Sequence, residues 1–337
     1  MNAPDGRPRF VTAQHVAEHA GVSRSAVSRA FTPGASIAAD TREKVMRAAE
    51  ALGYQVNDLA RGLLANRSRL VGMVVTGMEV GFRAHLTAAL SRVLIARGSI
   101  PLLINTGLTP EEMAAAQKIL LGHRAEAIVV LSGSPPASFI DIARRNGQPI
   151  IVIGRSEPDA DHVQIDNDAA AREAARLFAA RGFTRLAVAG SLSRTPNLLE
   201  RERAFADEAR QAGIETTIAR GRDSTYAGGV DAAQALFDGG ARPRAVFCVN
   251  DLMALGLIDQ ARRRGLAVPG DVDVIGFDDL PEAGWQNYGL TTFRQDPAAM
   301  ALAAVELLER RQAQPACDPA RARLAAPLMV RSSFVPV

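Results

Sequence analysis

The chain has 337 residues, more than a usual single domain, so we expect a small domain beside a larger, divided one. With 47% hydrophobic and 22% charged residues it has a globular composition, and no apolar run approaches the roughly 18 residues of a membrane-spanning helix. The N-terminus lacks the apolar core of a secretory signal, and Cys248 and Cys317 match no disulfide framework or zinc spacing. We therefore expect a cytoplasmic protein without a structural metal.

The positive charge is concentrated at one end of the chain. Residues 1–69 hold ten Lys and Arg against six Asp and Glu, a net charge of +4, whereas the remainder holds 29 against 30, a net of −1. A basic segment beside a nearly neutral body indicates a module that binds a polyanion such as DNA.

Two short helices are predicted at the start of this basic segment. Thr12 is suited to cap a helix over 13–20, and Gly21 supplies the tight turn that follows it. Ser23 is suited to cap the next helix, over 24–31, which Pro and Gly then end.

A third helix is predicted to begin at a capping box formed by Asp40 and Glu43, and Gly53 closes it. Three short helices, of which the second presents polar and basic side chains on one side, are typical of a helix-turn-helix domain over 10–56.

The second helix has the residues needed to read a DNA groove. A helix fits the major groove, where an arginine can grip guanine O6 and N7 together. We assign to base edges Arg24, Ser25 and Arg29, and to phosphates Thr12, Ser23 and Ser28. The alternative is a solvated helix face without a partner, which the turn spacing and the basic segment disfavour.

The stretches 11–31 and 41–68 closely resemble the headpieces of the lactose-repressor/galactose-repressor (LacI/GalR) family. The family pattern LGYxxNxxARxL stands here at 52–63. The resemblance implies a hinge helix over 57–65, within a hinge and linker over 57–69, that enters the minor groove when two subunits pair on DNA. It implies DNA contacts from Asn57, Ala60 and Leu63, with Leu63 as the side chain that wedges between base pairs.

A competing motif overlaps the first helix. His15, Glu18 and His19 match the H-x-x-E-H pattern of a class of metallopeptidases. A catalytic zinc also needs a third ligand and a roomy cleft, which a short headpiece helix does not offer. We therefore interpret these residues as helix surface and expect no metal.

From residue 70 onward, short apolar runs alternate with amphipathic helical stretches, which predicts parallel sheets flanked by helices. The predicted strands are 71–76, 100–104, 127–131, 150–153, 186–189, 216–219, 245–249 and 272–277. Thr109 and Glu112 predict a capped helix start. A split near Asp166 predicts two doubly wound subdomains resembling periplasmic binding protein class I, one over 70–166 with 295–325 and the other over 167–294 with 326–337.

Ligands of such sheets bind beyond the carboxyl ends of the strands. The residues at those positions are mostly polar and suit a hydroxyl-rich or anionic small molecule. The candidate effector-binding residues are Phe82, Arg155, Arg201, Tyr226, Asn250 and Asp278. The family resemblance supports Arg201 in ERERAF, Asn250 in VFCVNDLMALG and Asp278 in GDVDVIGFDD; alternatively, Asn250 and Asp278 cap helices and Arg201 is surface charge.

One departure concerns the stretch after the first strand of the body. Where family members often carry NPFF, this chain has Gly81, Phe82 and Arg83 after Val80. With Arg155, Arg194 and Arg201, Arg83 predicts a pocket mouth that favours a carboxylate or phosphate.

The resemblance implies a transcriptional repressor that binds a roughly palindromic operator as a homodimer and responds to a sugar, sugar acid or similar effector. One alternative is a periplasmic-type sugar-binding protein without a DNA role. A second is an α/β enzyme, but the chain has no G-x-G-x-x-G, Walker or G-x-S-x-G motif. We expect no enzymatic activity and no cofactor.

Overall fold

The computed structural model describes residues 10–32, 34–56, 68–106, 109–131, 141, 143–154, 159–193, 195–239 and 242–336. The chain divides into two units, Met1–Ser68 and Arg69–Val337. In the described ranges, no helix combines the length and the apolar character needed to cross a bilayer.

Within its described residues, the first unit contains three helices, α1 (Ala13–Ala20), α2 (Arg24–Ala30) and α3 (Ala39–Leu52). Its core contains Val16, Val27 and Val45, one from each helix. Apolar residues at helical spacing therefore bury one face of every helix against the other two. The predicted bounds of the first two helices agree with the structure within one residue.

The predicted capping box at the third helix is wrong. The helix begins at Ala39, and its N-cap is Ala38, whose side chain has no acceptor to offer. Asp40 lies inside the first turn instead, where a negative charge is favoured by the positive end of the helix dipole.

The second unit alternates strands and helices. Its strands, in chain order, are β1 (Leu70–Thr76), β2 (Ile100–Thr106), β3 (Ala127–Leu131), β4 (Ile150–Ile153), β5 (Asp161–Ile165), β6 (Arg185–Ser191), β7 (Glu215–Gly221), β8 (Ala245–Cys248), β9 (Asp273–Asp278), β10 (Thr291–Arg294), β11 (Arg321–Leu324) and β12 (Leu328–Met329). Its helices within the described residues are α4 (Phe82–Ala96), α5 (Pro110–Gly122), α6 (Asn167–Ala180), α7 (Pro196–Gln211), α8 (Tyr226–Asp238), α9 (Asp251–Arg263) and α10 (Pro297–Ala313), with a 3-10 turn at Pro281–Gly284.

The strands form two sheets. Among the described strands, all those of the first sheet are parallel, in the order β11-β5-β4-β3-β1-β2, and the second sheet has the order β12-β10-β9-β8-β6-β7 with β12 antiparallel. Helices α4 and α10 pack together beside the first sheet, and α6 with α7 and α8 with α9 pack in pairs beside the second. Two parallel sheets flanked by helices confirm the predicted fold class.

The chain passes between the sheets more than once. In the described ranges, it forms β1 to β5 of the first sheet, then β6 to β10 of the second, and returns to add β11 to the first and β12 to the second. If the chain crossed once, each sheet would be built from one continuous half of the chain. Here the last segment of the chain supplies an edge strand to both.

The helix start predicted at Thr109 is confirmed. The Glu112 side chain accepts from the Thr109 backbone N–H at 3.2 Å, and the Thr109 hydroxyl accepts from the Glu112 N–H at 3.3 Å. These reciprocal bonds satisfy two backbone donors at the beginning of α5 that have no partner within the helix.

Strands β5, β10, β11 and β12 were not predicted. All five residues of β5 are buried although three of them, Asp161, His162 and Gln164, are polar. Burial of Asp161 depends on distant cations, since Arg311 Nε donates to its carboxylate at 2.7 Å from α10. The search for apolar runs therefore does not find β5, because its polar residues are stabilised in the interior by side chains from distant parts of the chain.

Candidate functional site

Helix α2 has one buried side and one solvent-facing side. Val27 and Ala30 are buried at 1% and 3% exposure. The side chains predicted to meet DNA are all exposed, and they are Arg24, Ser25, Ser28 and Arg29. The structure therefore places these four side chains where a DNA groove would have access to them.

Thr12 and Ser23 are the N-caps of α1 and α2. The Thr12 hydroxyl accepts from the His15 N–H at 3.4 Å, and the Ser23 hydroxyl accepts from the Ala26 N–H at 3.2 Å. A hydroxyl that caps a helix as an acceptor still carries a proton to donate, so capping is compatible with a phosphate contact.

Two residues of the H-x-x-E-H motif, His15 and Glu18, accept hydrogen bonds from neighbours at the first helix. His15 Nδ1 accepts from the Thr12 N–H at 3.3 Å, which completes the cap, and Glu18 accepts from Gln14 at 2.8 Å. Throughout the described ranges, no group of three or more His, Cys, Asp or Glu side chains is arranged to hold a metal ion.

Several predicted site residues lie outside the described part of the chain. They are Asn57, Ala60 and Leu63 of the predicted hinge helix, and Arg155 and Arg194 of the predicted pocket mouth.

Arg201, on α7, is buried, with 1% exposure. Its Nε donates to Asn167 Oδ1 at 2.8 Å, and its Nη1 donates to the Val249 carbonyl at 2.8 Å. The guanidinium lies over the Phe277 ring, 3.5 Å from the ring centre to Cζ. These contacts fix the plane of the guanidinium, and burial lowers the pKa of Arg201.

Asp278, at the carboxyl end of β9, faces Arg201. Its Oδ1 lies 3.4 Å from Arg201 Nη1 and accepts from Gln295 Nε2 at 2.5 Å. Burial raises the pKa of Asp278 to about 6, and the nearby Arg201 charge opposes that rise. The backbone of Asp278 has a φ of 130°, a conformation that side-chain-bearing residues rarely adopt and that is retained where the surroundings hold it.

Asp251 is a fully buried carboxylate beneath this site. It accepts from the Leu280 N–H at 2.8 Å and from the Thr292 hydroxyl at 2.6 Å. Burial, and next the charge of Asp278, raise the pKa of Asp251 to about 8. Asp251 therefore holds the turn after β9 and is largely protonated at neutral pH.

Asn250 is the N-cap of α9, as the alternative interpretation expects. Its Oδ1 accepts from the Met253 N–H at 2.9 Å, and its Nδ2 donates to the Ser224 carbonyl at 2.8 Å. Asn250 thus joins the loop after β7 to the start of α9, at the same edge of the second sheet as Asp278.

Phe82 and Arg83 approach the site from the first sheet. Phe82 begins α4 and packs half-buried against the main core. The preceding Gly81 lies against the start of α9, since a Cβ built on it would be 3.1 Å from Leu252 Cδ1. The Asp278 charge acts on the Arg83 guanidinium, whose Nη1 donates to the Thr76 carbonyl. The start of α4 therefore faces the carboxyl edge of the second sheet.

The Tyr226 side chain is held by Asp259 of α9. Its hydroxyl donates to Asp259 Oδ2 at 2.7 Å, and the Tyr288 hydroxyl donates to the same oxygen at 2.9 Å. Within the described residues, the Tyr226 hydroxyl thus joins α8 to α9 and forms no hydrogen bond with Arg201, Asn250 or Asp278, so its role in effector binding stays a prediction.

Two residues of the site were missed by sequence reasoning. Asn167, with 2% exposure, holds Arg201, and Gln295 holds Asp278. Both follow closely on strands that were not predicted, β5 and β10. Searching beyond the carboxyl ends of strands would have found them if these two strands had been recognised.

Comparison with known proteins agrees with this geometry. Residues 12–57 match the model of bacterial regulatory proteins of the lacI family, and residues 175–334 match a periplasmic binding protein-like domain. The ribose operon repressor of Escherichia coli K12 is 30% identical over 332 residues, covering 96% of this chain and 100% of the repressor. The transcriptional regulator GalS of Salmonella typhimurium LT2 is 31% identical over 303 residues, covering 88% of this chain and 89% of GalS.

Among solved structures, the lac repressor dimer bound to operator and the anti-inducer ONPF superposes with a TM-score of 0.87. At 24% identity over 96% of this chain and 99% of that one, this likeness shows the shared fold. The chain belongs to the LacI family, and it is a DNA-binding transcriptional regulator.

Proposed function

We propose that this regulator represses transcription as a homodimer bound to a pseudo-palindromic operator, and that a small polar metabolite controls its operator affinity. The effector lies between the two sheets, against Phe82, Arg201, Asn250 and Asp278. On α2, Arg24, Ser25 and Arg29 read base edges, and Thr12, Ser23 and Ser28 contact phosphates. The hinge residues Asn57, Ala60 and Leu63 meet the minor groove.

The observation that carries effector control is an unpartnered donor. Arg201 Nη2 is buried and has no hydrogen-bond partner among the described residues. A buried donor of a charged group left without a partner destabilises the protein by about 1–3 kcal/mol or more. The other two nitrogens of this guanidinium donate to protein atoms, so Nη2 is the nitrogen that donates to a ligand oxygen.

Relatives support a repressor. The E. coli relative is named a ribose operon repressor, and the lac repressor was solved as a dimer with operator. In a two-fold dimer, paired headpieces require paired half-sites. Closure of the two sheets around a ligand then changes the spacing of the headpieces.

The alternative of a periplasmic-type sugar-binding protein is not favoured. It accounts for residues 175–334 but leaves the lacI-family match over 12–57 and the exposed face of α2 without a role.

The test begins with selection of an operator from random DNA by the full-length protein, followed by binding measured as fluorescence anisotropy. Sugars, sugar acids and nucleosides that raise the melting temperature are then added to the complex. We expect at least one of them to change operator affinity. A protein that enriches no DNA sequence would refute the proposal.

Asp278→Ala should abolish the response of operator binding to that compound, because the ligand loses its acceptor at the carboxyl end of β9. The matched control is Asp238→Ala, which removes a carboxylate that is 70% exposed at the end of α8. A full response in Asp278→Ala would remove Asp278 from the effector site.

A further inference from the structure

The charge of Arg201 is incompletely balanced. Within the described residues, Asp278 is the one carboxylate within salt-bridge distance of it. Its other partners are an amide oxygen, a backbone carbonyl and an aromatic ring, which are neutral. A guanidinium is a rigid fork of donors that matches a carboxylate or phosphate, and one arm of this fork, Nη2, has no described partner.

A second cation reaches the same place from the first sheet. Arg83 is the second residue of α4, it is partly buried, and the carboxylates that act on it are Glu79 and Asp278. Glu79 is exposed, so water screens its charge. The Asp278 charge therefore acts on two guanidinium groups, that of Arg201 at salt-bridge distance and that of Arg83 from farther away, at the start of α4.

The remaining carboxylates do not restore the balance. Asp251 is buried below the site, and burial raises its pKa to about 8, so it is mostly neutral at pH 7. Glu200 is exposed and its carboxylate accepts from Asn167 at 2.9 Å. Among the described residues, the charged groups at this site are thus the buried Arg201 and the partly buried Arg83 against one buried anion, Asp278.

We propose that the effector is a hydroxyl-bearing carboxylate, such as a sugar acid, whose carboxylate is held between Arg83 and Arg201 while a hydroxyl donates to Asp278. This inference rests on the proposed function, since it names the ligand class of the same site. One uncompensated positive charge matches the single charge of a carboxylate better than the two charges of a phosphate monoester. Arg83 is the specificity-determining residue, because it supplies the second cation.

The experiment compares acids with their neutral counterparts on the full-length protein. Isothermal titration measures binding of gluconate against glucitol, galactonate against galactitol, glucuronate against glucose and galacturonate against galactose, with sodium chloride matching the ionic strength. Glucose 6-phosphate tests whether the site prefers a phosphate monoester to a carboxylate. The same titrations are made with Arg83→Gln and with the control Arg92→Gln, which removes the same charge at an exposed position of α4.

At least one acid should bind more tightly than its neutral counterpart by a factor of about ten or more. Arg83→Gln should reduce that affinity by about the same factor, and Arg92→Gln should leave it unchanged. The proposal is overturned if a neutral compound or the phosphate binds more tightly than every acid, if no acid binds, or if Arg83→Gln binds the acid normally.

Operator binding by the same preparation separates the two hypotheses. If a neutral sugar releases or tightens the selected operator, the proposed function stands and the carboxylate effector is wrong. If no operator is found, the proposed function itself has failed.

Discussion

Arg29 occupies the exposed side of α2, and its Nε donates to the Ser25 carbonyl at 3.4 Å. Arg29→Ala should weaken binding to the selected operator by about 1–3 kcal/mol and relax the base preference at one position, because a bidentate contact to guanine would be lost. Anisotropy with the operator and with single-base variants at fixed salt measures both effects.

Arg47→Ala is the matched control for Arg29. Arg47 lies on α3, 70% exposed, 3.5 Å from Glu43, and its loss removes the same charge from the headpiece. It should reduce affinity for all sequences alike. If Arg29→Ala behaves in the same way, Arg29 contacts a phosphate rather than a base.

Asp251 predicts a pH dependence of stability. Its pKa is about 8 in the folded protein and ordinary, near 3.8, in the unfolded chain, so the folded state binds more protons between those values. The free energy of unfolding therefore falls as pH rises through this window, by about 1–2 kcal/mol between pH 6.5 and 8.5. The corresponding fall from Asp278, whose pKa is about 6, is mostly complete below pH 6.5.

Urea unfolding at pH 6.5 and 8.5 tests this expectation. Asp251→Asn should reduce the difference between the two pH values, since an amide does not titrate there. The exposed Asp238→Asn should retain the difference seen in the natural protein. An equal pH dependence in all three proteins would contradict the assignment to Asp251.

At the scale of elements, the beginning of α2 depends on one hydroxyl. Ser23→Ala should destabilise this helix by about 1 kcal/mol, because the Ala26 N–H loses its acceptor. Hydrogen exchange of residues 24–30 in the full chain measures the loss of protection. Ser28→Ala is the control, since its exposed hydroxyl caps no helix end, and equal protection loss in both variants would rule out the cap as the cause.

The elements that were predicted correctly are those whose own residues carry the signal, such as an apolar run for a buried strand or a capping pair for a helix start. The apolar strand Ala127–Leu131 and the capped start at Thr109 were predicted correctly. The polar strand Asp161–Ile165 was missed, because Arg311 and the edge strand Arg321–Leu324 stabilise it from far along the chain. A buried strand can therefore be predicted from its own residues when those residues are apolar, but not when polar residues in it are stabilised by side chains far along the chain.

The same reason limits the predicted site. Arg201, Asn250 and Asp278 follow predicted strands or family motifs, and the structure brings them to one sheet edge. The role of Asn167 depends on a strand whose burial the sequence does not reveal. Tyr226 follows a predicted strand, but its side-chain direction depends on Asp259, 33 positions away.

At the scale of the whole molecule, effector and operator binding are coupled through one chain. If a ligand changes operator affinity by some factor, bound operator must change ligand affinity by the same factor, because the two routes to the ternary complex have equal free energy. We expect a factor of roughly 5–150.

Titrating ligand into free protein and into the operator complex measures this factor directly. Nonspecific DNA of equal length is the control, and it should leave ligand affinity closer to that of the free protein. A ligand affinity that is unchanged by operator, alongside an operator affinity that ligand changes, would mean that the ligand acts on the DNA or at a second site.

The return of the chain to both sheets sets an order of events during synthesis. Strand β11 pairs with β5, whose first residue precedes its own by about 160 positions, and β12 pairs with β10 only at Leu328–Met329. The last residue that packs into the headpiece core is Tyr54, so the headpiece can fold while most of the body has not been synthesised. Neither sheet gains this edge strand until residues 321–329 have been synthesised, so the nascent regulator carries a folded DNA-binding unit long before its effector-binding body is folded.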